Sequence, residues 1–454
     1  MKFSPFLTFI SLFLYNFINS EIVFVFEQFR NGVYTYKPLG NNLHEQILNL
    51  NLKDKQISPA SIRSFYLLGT YIKEKYNNII NPKITSKNLF IYSKELDIHV
   101  LSSKSQLLGM FPLEDGIHLN QIEIDLAFPQ TEIPKDAQNE IKQLGNLSIP
   151  KSIKPFALRY FSDEENHNLL SIHDECPRLS KVREQNEKNF REEIEKFNNK
   201  HGNELLSIFN IKNDTIINDY NYLQQLIEYY INYYKNKIYL EEKISNNIDI
   251  NKLNLLYEDC INFQNKSYEQ VEATKDISII SMSTSLNELI KFMEKRILFD
   301  KEYNENSPKL KADYTPKFVI FSNNGLSLYY LQIFLHETFN ISVKYPSFCS
   351  NQFIELHRKD GIKFEDLTES DYHIEYFFDG ELLLNISFID FKNKINELEW
   401  SSRKIKNFCQ YQSSNALDHI FYFSVVSSII IILISIIRTK NSEENYKNLI
   451  NADK

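Results

Sequence analysis

Three polar residues that could bind a ligand follow the ends of two apolar segments in this 454-residue chain. Arg30 and Asn31 come shortly after the apolar run at residues 22–26, and Asn324 comes shortly after the run at residues 318–321. A guanidinium group binds phosphate or carboxylate oxygens through paired hydrogen bonds. An amide is not a usable nucleophile. These residue types therefore predict a polar pocket that holds an anion weakly.

Three short apolar runs, at residues 22–26, 89–92 and 318–321, have the composition of fully buried strands. A helical stretch at residues 58–76 lies between the first two. The order strand, helix, strand predicts a parallel sheet covered by helices. Ligands bind such sheets beyond the carboxyl ends of the strands, so we expect the three polar residues to converge there.

The middle of the chain, from about residue 113 to residue 311, has helical rather than strand-like spacing. Apolar residues recur at helical intervals in two stretches: Leu223, Leu226, Ile227, Tyr230, Ile231 and Tyr234, then Leu286, Leu289, Ile290, Met293 and Ile297. The charged stretch at residues 179–200 places its apolar side chains on roughly one face. We predict a mostly helical cap inserted into a domain formed by residues 21–112 and 312–415.

The chain returns to sheet after this insertion. Residues 373–378 and 381–386 flank Asp379-Gly380, which is a strong signal for a two-residue hairpin turn. The expected fold class is therefore α/β, a mixed sheet flanked by helices with a mostly helical cap.

The two ends of the chain predict export and membrane anchoring. Residues 1–20 have the layout of a signal peptide, with cleavage expected before Glu21. Residues 420–437 form an uncharged apolar run long enough to cross a bilayer as a helix. Arg438 follows at once, which places the tail at residues 438–454 in the cytosol. We predict a single-pass type I membrane protein whose bulk is lumenal or extracellular, in lysosomes, endosomes or at the cell surface.

Net charge, cysteine content and sequons indicate which partners and covalent modifications to expect. The formal net charge of −8 gives no reason to expect nucleic acid, and we expect no cofactor and no metal. An oxidising lumen favours two disulfides among the four cysteines, and the sequence leaves three pairings open. Five sequons permit glycosylation without demonstrating it: Asn146, Asn213, Asn265, Asn340 and Asn385.

Several segments resemble the histidine acid phosphatases, branch 2 of the histidine phosphatase superfamily. Glu27-Gln28-Phe29-Arg30-Asn31-Gly32 follows its strand as the family motif Arg-His-Gly-x-Arg-x-Pro does. Four more segments resemble the family in the same order: residues 58–76, 91–112, 321–328 and 345–356. The resemblance implies a histidine-phosphatase-like mixed sheet and an acid phosphatase ancestry.

The resemblance also implies roles for individual positions. Family members use a His nucleophile, arginines that bind the phosphate, and a His-Asp pair that protonates the leaving oxygen. Arg30 and Gly32 are kept as phosphate-pocket positions. The nucleophile position is Asn31, and the His-Asp pair becomes Asn324-Gly325.

Two more phosphate-binding arginines are replaced, by Tyr34 and by Ile98. His99 lies beside one of these positions and is a chemically suitable nucleophile, but phosphoryl transfer depends on accurate in-line positioning. We therefore predict a catalytically impaired pseudophosphatase that acts as a binding module, with an anionic or phosphorylated small molecule as a ligand. The alternative is an active acid phosphatase that hydrolyses phosphomonoesters at acid pH.

The family pattern finally implies two disulfides. It pairs Cys176 with Cys409, and Cys260 with Cys349. Each would join segments far apart in the chain, which stabilises a fold chiefly by restricting its unfolded state. The oligomeric state and the identity of the ligand are not predicted by the sequence.

Overall fold

The protein is described here by a computed structural model with atomic detail for most of the part between residues 20 and 409. The described residues are 20–36, 55–80, 84, 87–111, 116, 118–127, 138–161, 176–209, 211, 217–235, 250–302, 316–401 and 403–409. Residues 1–19 of the predicted signal peptide lie outside this set, as do the predicted span at 420–437 and the tail at 438–454. Within the described residues, no helix has both the length and the apolar character required to span a bilayer.

A seven-stranded mixed sheet forms the centre of the fold, in the order β5-β4-β6-β1-β7-β8-β9. Strands β5, β4, β6 and β1 are parallel neighbours, and β7, β8 and β9 continue the sheet in antiparallel pairs. A separate two-stranded ribbon joins β2 and β3. The strands are β1 (Ser20–Arg30), β2 (Tyr34–Tyr36), β3 (Lys55–Ile57), β4 (Leu89–Lys94), β5 (Arg159–Phe161), β6 (Phe318–Asn323), β7 (Asn351–Lys359), β8 (Tyr372–Phe378) and β9 (Glu381–Ser387).

The predicted α/β class and mixed sheet are confirmed. The three apolar runs form the central strands β1, β4 and β6, and all six residues of β6 are buried. The hairpin prediction is also confirmed, because Asp379 (φ 46°) and Gly380 (φ 82°) join β8 to β9 with the two positive φ angles that a type I′ turn requires.

Helices cover both faces of the sheet and form the region between β5 and β6. They are α1 (Pro59–Lys75), α2 (Asp97–Met110), α3 (Gln121–Leu126), α4 (Gln138–Leu144), α5 (Pro177–Asn189), α6 (Arg191–Phe197), α7 (Asn203–Ile208), α8 (Tyr220–Lys235), α9 (Ile250–Ser267), α10 (Lys275–Glu302), α11 (Gly325–Phe339) and α12 (Phe388–Leu398). Two π-helical turns, Asn198–Gly202 and Tyr268–Glu272, continue α6 and α9. Helix α1 begins sharply because Ser58 caps it through the N–H of Ser61 and Pro59 occupies its first turn.

Three apolar clusters stabilise these layers. One lies between the sheet and helices α10, α11 and α12, and a second lies between the opposite face and helices α1 and α2. The third lies within the helical region and is built chiefly from α6, α7, α8 and α9. Helix α10 packs against the sheet although it lies within residues 113–311, so the boundaries of the cap stay a prediction.

Candidate functional site

The candidate site lies where β1 and β6 end side by side. These strands are parallel, and their last residues, Arg30 and Asn323, are partners in the register. Asn31 therefore follows β1 next to Asn324 and Gly325, which follow β6. The structure brings together the residues that sequence analysis placed at the carboxyl ends of the two strands.

A pocket of about 290 Å³ opens at this edge, between the sheet and the helical region. Helices α8 and α9 and the π-helical turn after α9 form its far wall. Its lining residues are Arg30, Asn31, Lys94, Arg183, Asn221, Gln224, Gln225, Glu228, Gln264, Tyr268, Glu272, Asn324, Gly325, Leu326, Ser327 and Tyr330. Most of the lining side chains are polar, and Leu326, Tyr268 and Tyr330 add apolar surface, so the pocket is suited to a small hydrophilic ligand.

Arg30 is the buried centre of this site, with a relative exposure of 2%. Its Nη1 donates to the carbonyl oxygen of Pro346 at 2.6 Å and to the hydroxyl of Tyr345 at 3.2 Å. The ring of Phe348 lies 4.0 Å from its Cζ atom, within cation–π range. Groups of the protein itself therefore accept the hydrogen bonds that Nη1 donates.

The other end of Arg30 faces a carboxylate. Its Nη2 lies 3.8 Å from Oε1 of Glu228, a residue of α8. The same oxygen accepts a hydrogen bond from the hydroxyl of Tyr34 at 3.2 Å. Burial alone lowers the pKa of Arg30, but Tyr345, Tyr268 and Glu228 offset it and keep that pKa above its ordinary value. The guanidinium therefore stays charged.

Gly325 allows Arg30 to lie where it does. A Cβ atom at Gly325 would lie 3.1 Å from Cδ, Nε and Cζ of Arg30, which is tighter than ordinary van der Waals contact. Gly325 is the position that carries an aspartate in the family pattern, and Arg30 takes up part of the space that a side chain there would need. Any side chain at this position would require the guanidinium to move.

The two asparagines are held by local hydrogen bonds. The Asn31 side chain donates to the carbonyl oxygen of Gly32 at 3.0 Å. Asn324 is the N-cap of α11, and its Oδ1 accepts from the N–H and hydroxyl of Ser327 at 2.9 and 2.8 Å. A side-chain amide is well suited to capping a helix, so Asn324 has a structural role at the position where the family pattern has a proton donor.

The remaining sequence-predicted positions lie apart from the pocket lining. Gly32 packs against Ser61, and its N–H donates to Ser102 at 3.3 Å. Ile98 and His99 are buried on α2, and the His99 carbonyl accepts from the hydroxyl of Ser322 at 3.1 Å. The structure does not bring His99 to the pocket wall, so it provides no support for a substitute nucleophile.

Sequence analysis missed the pocket residues that the helical region supplies. Arg183 of α5 forms an ion pair with Glu272 at 2.7 Å and donates to Asn221 at 3.0 Å. The hydroxyl of Tyr220 also donates to Glu272, at 2.9 Å. The helical spacing that predicted α8 identifies its buried face, but it gives no signal for the polar residues that face a distant strand end.

One of the two implied disulfides is present. Cys176 and Cys409 are bonded, with their Cα atoms 4.7 Å apart. The pairing of Cys260 with Cys349 is not formed, and both are free cysteines. Their side chains belong to different clusters, because Cys260 packs within the helical cluster and Cys349 packs against the cluster under α1. Burial raises the pKa of the Cys349 thiol, although a hydrogen bond with Ser61 lowers it in part.

The sequons differ in accessibility. Asn146, Asn340 and Asn385 are exposed, and Asn265 is half-buried within α9. Asn213 lies outside the described residues. Glycosylation stays a prediction for all five positions.

A family model decides the ancestry of the chain. The model of the histidine phosphatase superfamily (branch 2) matches residues 17–270, more than half of the 454 residues. The chain belongs to this superfamily. This assignment agrees with the resemblance of the segments on either side of the pocket.

Solved structures support the histidine-phosphatase fold. The phytase of Hafnia alvei in complex with tartrate has 10% sequence identity and a TM-score of 0.50, over 84% of this chain and 98% of that chain. The phytase of Citrobacter braakii has 9% identity and a TM-score of 0.50, over the same shares. No curated protein matches this chain. At this level of identity the likeness extends to the fold alone.

Proposed function

We propose that this protein is a pseudophosphatase, a histidine-phosphatase fold that binds a small ligand without hydrolysing it. The environment of Arg30 carries the proposal. Its Nη1 is used by Pro346 and Tyr345, its Nη2 faces Glu228, and the adjacent nucleophile position is Asn31. A phosphatase of this family requires a nucleophile and free cationic donors at these points.

The rest of the lining offers no replacement chemistry. Among the described residues that line the pocket, there is no histidine, cysteine or aspartate. Ser327 is the only hydroxyl there besides two tyrosines, and it donates to Asn324 rather than to a base. A serine without a general base is a weak nucleophile. The site therefore favours binding over phosphoryl transfer.

The lining also indicates the class of ligand. Six amide side chains surround the pocket and can both donate and accept hydrogen bonds: Asn31, Asn221, Gln224, Gln225, Gln264 and Asn324. Arg30 Nε and Gln224 Nε2 are buried donors that lack a hydrogen-bond partner among the described residues. Buried donors are usually satisfied, so oxygen atoms of a ligand are suitable partners. We infer a polyhydroxylated small molecule.

Charge argues against a doubly charged phosphate as the main determinant. Two carboxylates, Glu228 and Glu272, face the pocket beside the cations with which they pair. A dianion placed at Arg30 would approach Glu228, and like charges at such distances repel. A phosphorylated ligand would therefore be bound through its hydroxyl groups more than through its phosphate.

The proposed location is the lumenal or outer face of a membrane, with a single C-terminal anchor at residues 420–437. The Cys176–Cys409 disulfide supports an oxidising compartment, because such bonds persist in secreted and lumenal proteins. Tyr446-Lys447-Asn448-Leu449 in the tail fits a tyrosine-based sorting signal, which favours endosomes and lysosomes or the cell surface.

Family membership favours one alternative, an acid phosphatase. An activity assay separates the two functions. The full chain, purified in detergent, is assayed with an aryl phosphate from pH 4 to 8, with and without vanadate, beside Arg30→Met. We expect the native chain to show no phosphatase activity, and therefore no activity that the Arg30→Met substitution could remove. Vanadate-sensitive turnover in the native chain that disappears in Arg30→Met would establish the phosphatase. Activity present equally in both would come from a contaminant.

A variant that restores the family residues tests whether the frame still accepts phosphate. It carries five substitutions: Asn31→His, Tyr34→Arg, Ile98→Arg, Asn324→His and Gly325→Asp. Turnover in this variant alone would show that only the side chains were lost.

Ligand binding is tested separately. Titration calorimetry with phosphate and with neutral cyclic and linear polyols is compared between the native chain and Gln224→Leu. If neither ligand class binds, the binding-module proposal fails.

A further inference from the structure

A cluster of imidazole and carboxylate groups lies on the antiparallel half of the sheet, away from the pocket. His357 of β7 and His373 of β8 are cross-strand partners, and Glu375 lies two residues further along β8 on the same face. Residues i and i+2 of a strand share one face, which is why the three side chains meet. Their ligand-type atoms all lie within 4.8 Å of one another.

The distances fit a four-coordinate metal ion. His357 Nε2 lies 3.5 Å from Glu375 Oε2, and His373 Nε2 lies 3.7 Å from Glu375 Oε1. Zinc bonds to nitrogen and oxygen are about 2.0–2.2 Å long, so the ligand atoms of a tetrahedral site lie about 3.4 Å apart. The ligand atoms of the three side chains lie within 4.8 Å of one another, so they must move closer together to reach this geometry. The two imidazole rings are near-parallel, with centroids 4.7 Å apart.

Neighbouring groups hold these side chains in place. The Nδ1 atom of His357 lies 3.3 Å from the hydroxyl of Ser20, which leaves Nε2 facing the cluster. Asn385 of β9 donates to Glu375 Oε1 at 2.8 Å. Metal-binding side chains are commonly oriented by such partners. Cleavage before Glu21 would remove Ser20, but the three ligand groups do not depend on it.

A fourth oxygen is within reach. Glu355 is 1% exposed, and its Oε2 lies 2.9 Å from His357 Nε2. Its other oxygen accepts from Lys75 and from Tyr76, each at 2.6 Å. The Oε2 atom thus points into the cluster, where it can complete the coordination, or a water can do so.

We propose that His357, His373 and Glu375 bind a divalent transition metal ion of the zinc class, with Glu355 or water as the fourth ligand. Two imidazoles and carboxylate oxygens form a donor set that zinc accepts. Because the cluster is mostly shielded and bridges two strands, the ion ties β7 to β8 and stabilises the antiparallel half of the sheet. No substrate is required for this role.

The proposed site is independent of the ligand pocket. His357 pairs with Ile22 near the start of β1, whereas Arg30 ends the same strand. Eight residues of extended chain separate the two points by about 25 Å. Metal binding and ligand binding can therefore be measured separately on the same protein.

The test uses the full chain after treatment with EDTA and its removal. Titration calorimetry with Zn²⁺ should give one high-affinity site, and Zn²⁺ should raise the melting temperature. Glu375→Gln and His373→Gln should each weaken this site by at least about 100-fold, since even the loss of an orienting partner costs about 10- to 100-fold. His118→Gln, an exposed histidine elsewhere, is the matched control and should bind as the native chain does.

Absorption spectroscopy of the native chain tests the same site without relying on the folding of any variant. Co²⁺ bound to the native chain in place of Zn²⁺ should show the intense visible bands of a four-coordinate site, and Zn²⁺ should displace them. Absence of high-affinity Zn²⁺ binding would overturn the proposal. So would binding that survives unchanged in both Glu375→Gln and His373→Gln, because the ion would then sit elsewhere.

Discussion

The Nη2 atom of Arg30 lies 3.8 Å from Oε1 of Glu228, so the retained cation of the family pocket faces an anion supplied by the protein itself. Glu228 stands on α8, opposite the strand that carries Arg30, and it also accepts from Tyr34. Tyr34 occupies a position where the family pattern has a second arginine. The tyrosine at this position and Arg30 thus contact the same carboxylate oxygen.

Removing this carboxylate should improve anion binding. In Glu228→Gln, the amide oxygen can still accept from Tyr34, but the negative charge is gone. We expect the Kd for inorganic phosphate to fall about three- to fivefold, because a partly exposed ion pair of this kind contributes up to about 1 kcal/mol. Titration calorimetry at low ionic strength measures the change.

The matched control is Glu258→Gln, an exposed glutamate of α9 outside the pocket lining. It should leave phosphate binding unchanged. A Glu228→Gln protein with unaltered or weaker phosphate binding would mean that Glu228 does not compete with the ligand for Arg30.

The contact between Gly325 and Arg30 should appear as an energetic coupling. Gly325→Ala places a methyl group 3.1 Å from three atoms of Arg30, so the arginine must shift in its packed surroundings. We expect a loss of about 1–2 kcal/mol in the free energy of unfolding, typical of overpacking. Denaturant unfolding of Gly325→Ala, Arg30→Ala and the double variant closes a double-mutant cycle, because Arg30→Ala removes all three contacting atoms. A Gly325→Ala cost that is the same in the Arg30→Ala background would show that the strain arises from another neighbour.

Much of the fold follows from local sequence signals. The apolar runs that form β1, β4 and β6 were predictable as strands because a covered parallel sheet needs apolar residues. The expectation that all three are fully buried was wrong for β4, whose residues alternate between buried and half-buried. Asp379-Gly380 fixed the hairpin because few residues adopt two consecutive positive φ angles. The convergence of Arg30 with Asn324 followed from the rule that parallel strands share a carboxyl edge.

The rest of the site could not be predicted, because it depends on how distant elements pack. Glu228 lies on a helix about 200 residues after Arg30, and nothing in its local sequence says which strand end it faces. His357 and His373 meet only through the β7–β8 register, which depends on the connection between those strands. The family pattern likewise misled for Cys260 and Cys349, whose side chains pack into separate clusters.

Disulfide status gives a third prediction. Cys409→Ser should lower the free energy of unfolding by about 2–5 kcal/mol, because the Cys176–Cys409 bond closes a loop with a sequence separation of 233. Cys349→Ser should cost less than about 1 kcal/mol, since this thiol closes no loop. Chemical denaturation of both variants and the native chain makes the comparison.

Peptide mapping under non-reducing conditions checks the same pairing directly. It should recover Cys176 linked to Cys409. Cys260 and Cys349 should be alkylated rapidly only after unfolding, because burial raises the pKa of both thiols and leaves little thiolate. A recovered Cys260–Cys349 peptide would restore the pairing that the family pattern implies.

A buried carboxyl group should make stability depend on pH. Glu27 lies in the middle of β1 with no exposed surface, and Gln106 donates to its Oε2 at 2.7 Å. Burial raises the pKa of Glu27 to about 8, although the Gln106 hydrogen bond lowers it in part. In the unfolded chain this carboxyl group titrates near its ordinary value of 4.5.

The sign follows from proton linkage. Between pH 4.5 and about 8, the folded state holds a proton on Glu27 that the unfolded state has released. The contribution of Glu27 to stability is therefore fully present below pH 4.5 and is lost as pH rises toward 8.

The variant Glu27→Gln imitates the protonated group. It should match the native chain in stability near pH 4.5 and be more stable than the native chain near pH 8, by a few kcal/mol. Urea unfolding at several pH values measures this difference, with Glu258→Gln as the control. A constant difference across the range would mean that Glu27 keeps an ordinary pKa in the folded protein.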